Sequence, residues 1–287
     1  MNKIKSFLNS VGKEFIYGGH LISLGASSVV LTSAILLNIP ITWDFLLIVY
    51  LITYTVYLYN RFKEFDEDFL TNPDRTQHIG GYIKYTPLIV FCSILVVVGL
   101  LLCFSNFLSL IFGLLLLLLG VLYSVCLKKV TKKIVGFKSF YVSFIWALLV
   151  IFLAIYYSFP LSLSVFLIVF FVFLRCMIIT SFCDVKDVES DSKENLLTLI
   201  VTYKKEGLVK LLIIFNVLSA ALIIIGIYLS LFSLFSLMLI FTFFYSSCYL
   251  RKLSDRKITS PFLYDVFVDG EKFLWSIFVL WGKFLTC

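Results

Sequence analysis

Two short acidic stretches carry the side chains best suited to chemistry. The first runs Asn60-Arg61-Phe62-Lys63-Glu64-Phe65-Asp66-Glu67-Asp68. On a helix turning about 100° per residue, Asn60, Glu64 and Asp68 share one face, Glu67 lies beside them and Asp66 points away. The second runs Asp184-Val185-Lys186-Asp187-Val188-Glu189-Ser190-Asp191, and places Asp184, Asp187 and Asp191 together with Glu189 turned outward. Like charges one helical turn apart repel. A solvated helix end explains one such stripe but poorly explains two in equivalent places. Divalent cations explain both, because Mg²⁺ takes oxygen ligands and bridges carboxylates to a substrate phosphate. The expected metal set is therefore Asn60, Glu64, Asp68, Asp184, Asp187 and Asp191. Basic residues border both stripes: Arg61, Lys63 and Arg75 near the first, Lys186 and Lys193 near the second, and Lys128 and Lys129 between them. Singly, each reads as charge at a membrane surface; together with a metal they suit a diphosphate.

The elements that must position these stripes are membrane helices. The chain has 287 residues, 61% of them hydrophobic, and a mean hydropathy of +1.04. A soluble domain is about 45–50% apolar, so the solvent for this surface is the bilayer. Nine apolar stretches are expected to span, at about 21–38, 41–59, 87–103, 107–126, 140–157, 161–183, 208–227, 231–250 and 261–281. Short uncharged links follow the first, third, fifth and seventh, and long charged loops follow the second, fourth, sixth and eighth. Most Lys and Arg fall in those charged loops and the N-terminal segment. That asymmetry places them on the cytoplasmic side, with the C-terminus opposite. The net charge of +7 is accounted for in the same way, and nucleic acid is not an expected partner.

A weak internal repeat is visible. Tyr123-Ser124-Val125-Cys126 recurs as Tyr245-Ser246-Ser247-Cys248, and the two acidic stripes are separated by nearly the same offset. This gives a single all-α domain over 1–287, with four-helix pseudo-repeats at about 20–130 and 140–252 and a ninth helix. The seven cysteines form no C-x-x-C pair and read as small packing residues rather than disulfides or a zinc site. The N-terminal segment is too polar for a signal-peptide core, and no cleaved leader is expected.

The order and placement of these motifs resemble the UbiA-type intramembrane prenyltransferases along almost the whole chain. That family's first motif reads N-D-x-x-D-x-x-x-D, matched by Asn60, Glu64 and Asp68, and Asn72-Pro73-Asp74-Arg75 is similar to its N-R-P stretch. Its second motif, D-x-x-D-x-x-x-D, is intact as Asp184, Asp187 and Asp191. Tyr123 with Lys128 and Lys129 resembles its tyrosine-basic stretch. Two positions depart: Arg61 replaces an Asp, and Glu64 replaces another. The resemblance implies Mg²⁺ held between the motifs, an isoprenyl diphosphate donor that ionises to an allylic cation, and attack by an aromatic or lipophilic acceptor. It implies catalytic roles for Asp184, Asp187, Asp68 and Asn60, and diphosphate contacts for Arg61, Arg75, Lys128, Lys129, Lys193 and Tyr123. The altered first motif keeps a terpene cyclase of the same superfamily as the alternative, with a transporter or lipid-binding protein as a third reading.

Other polar residues stand out by depth. Arg175 lies inside the sixth span and needs a partner there; of the charged residues Asp265, Asp269, Glu271 and Lys272 in the ninth span, Asp265 or Asp269 is expected to pair with it or to line the cavity. His20, at the start of the first span, reads as an interfacial residue, and His78 as a loop residue.

Overall fold

The computed structural model describes residues 2–254 and 263–286, and among them the chain is entirely helical. Eight helical stretches among the described residues, from His20–Leu37 to Leu234–Leu253, are long and apolar enough to cross a bilayer. A helix satisfies its backbone groups within a single segment, as hydrocarbon requires. An amphipathic helix α1 (Asn2–Tyr17) precedes the first span, α2 (His20–Leu37). The second span, α3 (Trp43–Lys63), ends at a break, followed by the short helices α4 (Phe65–Thr71) and α5 (Pro73–Gly80). Next come α6 (Thr86–Phe104), α7 (Phe107–Val125), α8 (Phe137–Tyr156) and α9 (Leu163–Cys183). The short α10 (Val188–Lys193) leads into α11 (Leu199–Tyr228), α12 (Ile240–Ser254) and α13 (Glu271–Thr286).

The principal packing pairs are α8 with α9, α9 with α11, α2 with α13, α3 with α6, and α2 with α3. Their facing sides bury residues such as Ala26, Val29, Val30, Ile48, Val150 and Ile178, while Phe91, Leu102, Phe107 and Phe244 stay exposed. An outward apolar face is what a hydrocarbon solvent selects.

Three spans differ from their expected bounds. The seventh starts at Leu199 rather than near 208, with a break at Lys204 (φ 56°) inside it. The eighth opens with a 3₁₀ turn, Leu234–Leu239. At the ninth, a π-helical turn (Leu263–Val268) precedes α13, which has 16 residues against the roughly 20 needed to span; residues 261–262 lie outside the described ones. The late start follows from the turn at Asp269–Gly270, which delivers Glu271 and Lys272 into the protein interior, where both are buried.

That delivery supplies the partner of Arg175. Its guanidinium donates to Glu271, to Asn216 Oδ1 at 2.6 Å, to Ser246 Oγ at 3.2 Å and to the Thr242 carbonyl at 3.1 Å. Glu271 also accepts from Tyr249 Oη (2.7 Å) and Trp275 Nε1 (3.2 Å). Asp269 is paired instead with Lys272 at 3.1 Å, and the Asp265 side chain lies outside the described ones. Glu271 takes the pairing role, one of the two expected of Asp265 or Asp269, because the helix begins ten residues later than the apolar run suggests, which rotates a different carboxylate inward.

Candidate active site

Both acidic stripes sit at helix breaks rather than on continuous helices. Glu64 is the non-helical junction between α3 and α4 (φ −101°, ψ 16°). Asp184 caps α9, and Asp187 caps the N-terminus of α10, which carries Asp191 in its first turn. Carboxylates in a first turn meet the positive end of the peptide dipoles. The breaks do not scatter the stripes. Asn60, Glu64 and Asp68 line the same cavity as Asp184, Asp187 and Asp191, a space of about 290 Å³. Asp66 and Glu189 are exposed, and the Glu67 side chain lies outside the described ones.

The polar atoms of the first stripe are held by neighbours. Ser124 Oγ donates to Asn60 Oδ1 at 2.5 Å. Asp68 Oδ1 accepts from Arg75 at 2.7 Å and from Asn72 at 3.3 Å. Arg61, 5% exposed, donates to the Tyr17 carbonyl at the end of α1, so this guanidinium is tied to the protein as well as lining the cavity. Gly19 makes room for it: the residue has φ +99°, and a Cβ there would lie 2.9 Å from an Arg61 nitrogen. Glu14 of α1 reaches His78 at 2.7 Å and His20 at 3.5 Å. Those contacts hold its carboxyl at about 2, the hydrogen bond from His20 contributing most. His20 Nδ1 is also 2.5 Å from Tyr50 Oη. Both histidines thus belong to a polar cluster with Glu14 and Tyr50.

In the second stripe Asp184 is fully engaged. Lys138 Nζ lies 2.8 Å from Oδ1, and Ser139 Oγ donates to Oδ2 at 3.0 Å. Asp187 Oδ1 and Asp191 Oδ2 are buried without a hydrogen-bond partner. Burial raises both carboxyls, Asp191 to about 6, with Lys138 opposing the shift. Among the described residues no three Asp, Glu, His or Cys side chains converge as a ready metal cage. The donor set nevertheless fits Mg²⁺, which needs one or two carboxylates and completes its shell with waters and phosphate oxygens. The two orphaned oxygens are suitable donors.

The expected cationic partners divide. Arg75 and Lys128 line the cavity with Arg61, and Tyr123 lines it too, stacked on Tyr141 at 5.8 Å. Lys128 also pairs with Glu194 at 3.2 Å. Lys129 and Lys193 are exposed and do not line the cavity. Lys138, absent from the expected set, does line it. The available signal was a lysine two residues after Gly136, in the first turn of a helix, where a cation opposes the helix dipole and calls for an anion. Asp269 also lines the cavity.

The same helices change character with depth. Val56 and Tyr57 precede Asn60 by one turn on α3, Gly120 precedes Ser124 on α7, and Ile145 and Trp146 lie two turns beyond Lys138 on α8. The cavity therefore runs from a charged end to an apolar, aromatic interior.

Comparisons with known proteins bear on the family and the fold. The family model described as the UbiA prenyltransferase family matches residues 21–277. A UbiA homolog from Aeropyrum pernix K1 superposes with a TM-score of 0.71 at 14% identity, covering 92% of this chain and 97% of that one. A structure described as a digeranylgeranylglyceryl phosphate synthase in membranes gives a TM-score of 0.57 at 17% identity, covering 99% and 96%. No curated protein matches the chain. The fold and motifs define a multi-pass membrane protein of prenyltransferase type. The chain belongs to the UbiA prenyltransferase family.

Proposed function

We propose that this protein is a Mg²⁺-dependent intramembrane prenyltransferase that moves an isoprenyl group from its diphosphate to an aromatic or lipophilic acceptor. The observation that carries the reading is the convergence of both acidic stripes and five cations, Arg61, Arg75, Lys128, Lys138 and Lys186, on one cavity whose deeper lining is apolar. Asp68, Asp187 and Asp191, with Asn60, Glu64 and Asp184 beside them, would hold the metal. When bound, Mg²⁺ supplies charge neutralisation to the departing diphosphate. Arg75 and Lys128 bind and orient the phosphate oxygens by charge-assisted hydrogen bonds. The isoprenyl tail lies along Val56, Tyr57, Ile145 and Trp146, which exclude water from the allylic carbon as its bond to the diphosphate oxygen breaks. The acceptor bonds to that carbon and releases a proton. In the orientation set by loop charge, the diphosphate end faces the cytoplasm.

Purified protein, Mg²⁺, isoprenyl diphosphates of several lengths and a panel of acceptors test the proposal through diphosphate release and prenylated product. Absence of diphosphate release with every donor refutes it. Cyclic products formed without acceptor assign the chain to the cyclase branch instead.

A further inference from the structure

We infer that Lys138 is the resident counter-ion of the second acidic stripe, competing with the divalent cation for Asp184 and passing to the diphosphate when metal and substrate arrive together. The second half rests on the diphosphate reading above; the first half does not.

The position of Lys138 argues against a purely structural lysine. It lies in the first turn of α8, where the peptide dipoles present positive charge and repel a cation. Gly136, the N-cap, sets this start with φ +69° and backs onto Leu199, which a Cβ would meet at 2.6 Å. The chain is thus pinned in a conformation that keeps an ammonium group at an unfavourable helix end. Only an anion offsets that, and Asp184, with a side chain 6% exposed, lies 2.8 Å away.

The distribution of satisfied oxygens carries the argument further. Both oxygens of Asp184 are occupied, by Lys138 and by Ser139. The orphaned oxygens belong to Asp187 and Asp191. The Asp184 end of the stripe is therefore satisfied by Lys138 and Ser139, while Asp187, near which Lys186 and Arg75 also place positive charge, and Asp191 each keep one oxygen without a hydrogen-bond partner. A divalent cation seated on Asp187 and Asp191 repels the ammonium and draws on the same Asp184 carboxylate. Lys138 can yield, because its side chain is 27% exposed and lines the cavity. The flexible four-carbon stem of lysine lets its charge relocate, which the planar fork of arginine does less readily. The ligand that offers it a new partner is a phosphate oxygen. Metal and diphosphate then bind cooperatively, and part of that coupling passes through one side chain.

The test uses the full-length protein in detergent, with Mn²⁺ followed by paramagnetic resonance and inorganic pyrophosphate followed by calorimetry. Lys138→Gln is expected to tighten Mn²⁺ binding in the absence of pyrophosphate by about tenfold, through loss of a competing charge. The same variant weakens pyrophosphate binding at saturating Mn²⁺ by about tenfold, through loss of a charge-assisted contact. Lys138→Arg keeps the charge and therefore the wild-type Mn²⁺ affinity to within a few-fold, while its less readily relocated guanidinium recovers only part of the pyrophosphate affinity. A lysine that merely holds the fold together weakens both ligands when removed, so opposite signs separate the two cases. Unchanged or weaker Mn²⁺ binding by folded Lys138→Gln overturns the inference, and unchanged pyrophosphate binding overturns its second half. A measurement on the unaltered protein covers the case in which the variant does not fold: acylation of Lys138 mapped by mass spectrometry. Mn²⁺ alone should raise its reactivity and Mn²⁺ with pyrophosphate should suppress it; the reverse order overturns the inference. Loss of prenyl transfer with every donor refutes the proposed function while leaving the Mn²⁺ result standing.

Discussion

Replacing Arg175 by Met should destabilise the protein more than any cavity-lining substitution. Arg175 and Glu271 are both fully buried. The substitution removes the cation that donates twice to Glu271 and leaves that carboxylate with Tyr249 at 2.7 Å and Trp275 at 3.2 Å. Asn216 Oδ1 keeps a donor, Ser246 at 2.7 Å, so the loss concentrates on Glu271. Breaking a buried pair from one side costs about 3–5 kcal/mol, because one charge stays behind uncompensated. At the usual conversion this lowers the melting temperature by roughly 10 °C. Thermal melting in detergent, followed by tryptophan fluorescence or aggregation, measures it. The decisive control is Arg175→Met combined with Glu271→Gln. The amide discards the charge while its oxygen accepts from Trp275 and its NH2 donates to the Tyr249 hydroxyl, so the double variant should be more stable than Arg175→Met alone. If Arg175→Met melts like the wild type, or if the two substitutions add, the network is not the electrostatic tie described above.

Three further outcomes follow from the site. Asp187→Asn removes an orphaned, buried carboxylate oxygen and should lower diphosphate release by at least about a hundredfold while leaving melting near wild type; retained turnover removes Asp187 from the catalytic set. Because burial raises Asp191 to about 6, the folded chain holds a proton there that the unfolded chain gives up near pH 4. The stability contributed by this group therefore falls as pH rises from about 4 to about 6. The same proton competes with metal, so Mn²⁺ affinity should weaken below pH 6, and Asp191→Asn should lower that affinity and flatten the pH profile in this window. Gly120→Ala places a Cβ 2.5 Å from Val56, which should push α7 off α3 at a cost of about 1–3 kcal/mol; an unchanged melting temperature contradicts that packing.

The acidic stripes were legible because carboxylate identity and spacing are local facts. Asn60, Glu64 and Asp68, and Asp184, Asp187 and Asp191, stand at fixed offsets whatever the chain does elsewhere. The breaks through both stripes were not legible, since no Gly or Pro marks Glu64 or Asp187. Lys138 is not legible in the sequence for a different reason. Its significance lies in Asp184, which belongs to another helix far along the chain, and no local pattern links them. Asp269 lines the cavity, one of its two expected places, but the pairing of Arg175 with Glu271 is not legible, because an apolar run starting near 261 does not announce the turn at Asp269–Gly270. The basic residues beside the motifs show the same limit: Lys128 lines the cavity and its neighbour Lys129 is exposed.

Composition and periodicity by themselves determined that this is a membrane bundle with two carboxylate stripes, because the cost of exposing apolar surface to water, or backbone to lipid, depends on residue type alone. Tertiary packing decided which cations meet those carboxylates, that Glu271 answers Arg175, and that Asp184 is engaged while Asp187 and Asp191 keep open oxygens. Those outcomes depend on distances between helices set by breaks, caps and close contacts, and electrostatic energy falls with distance too steeply for order along the chain to predict it.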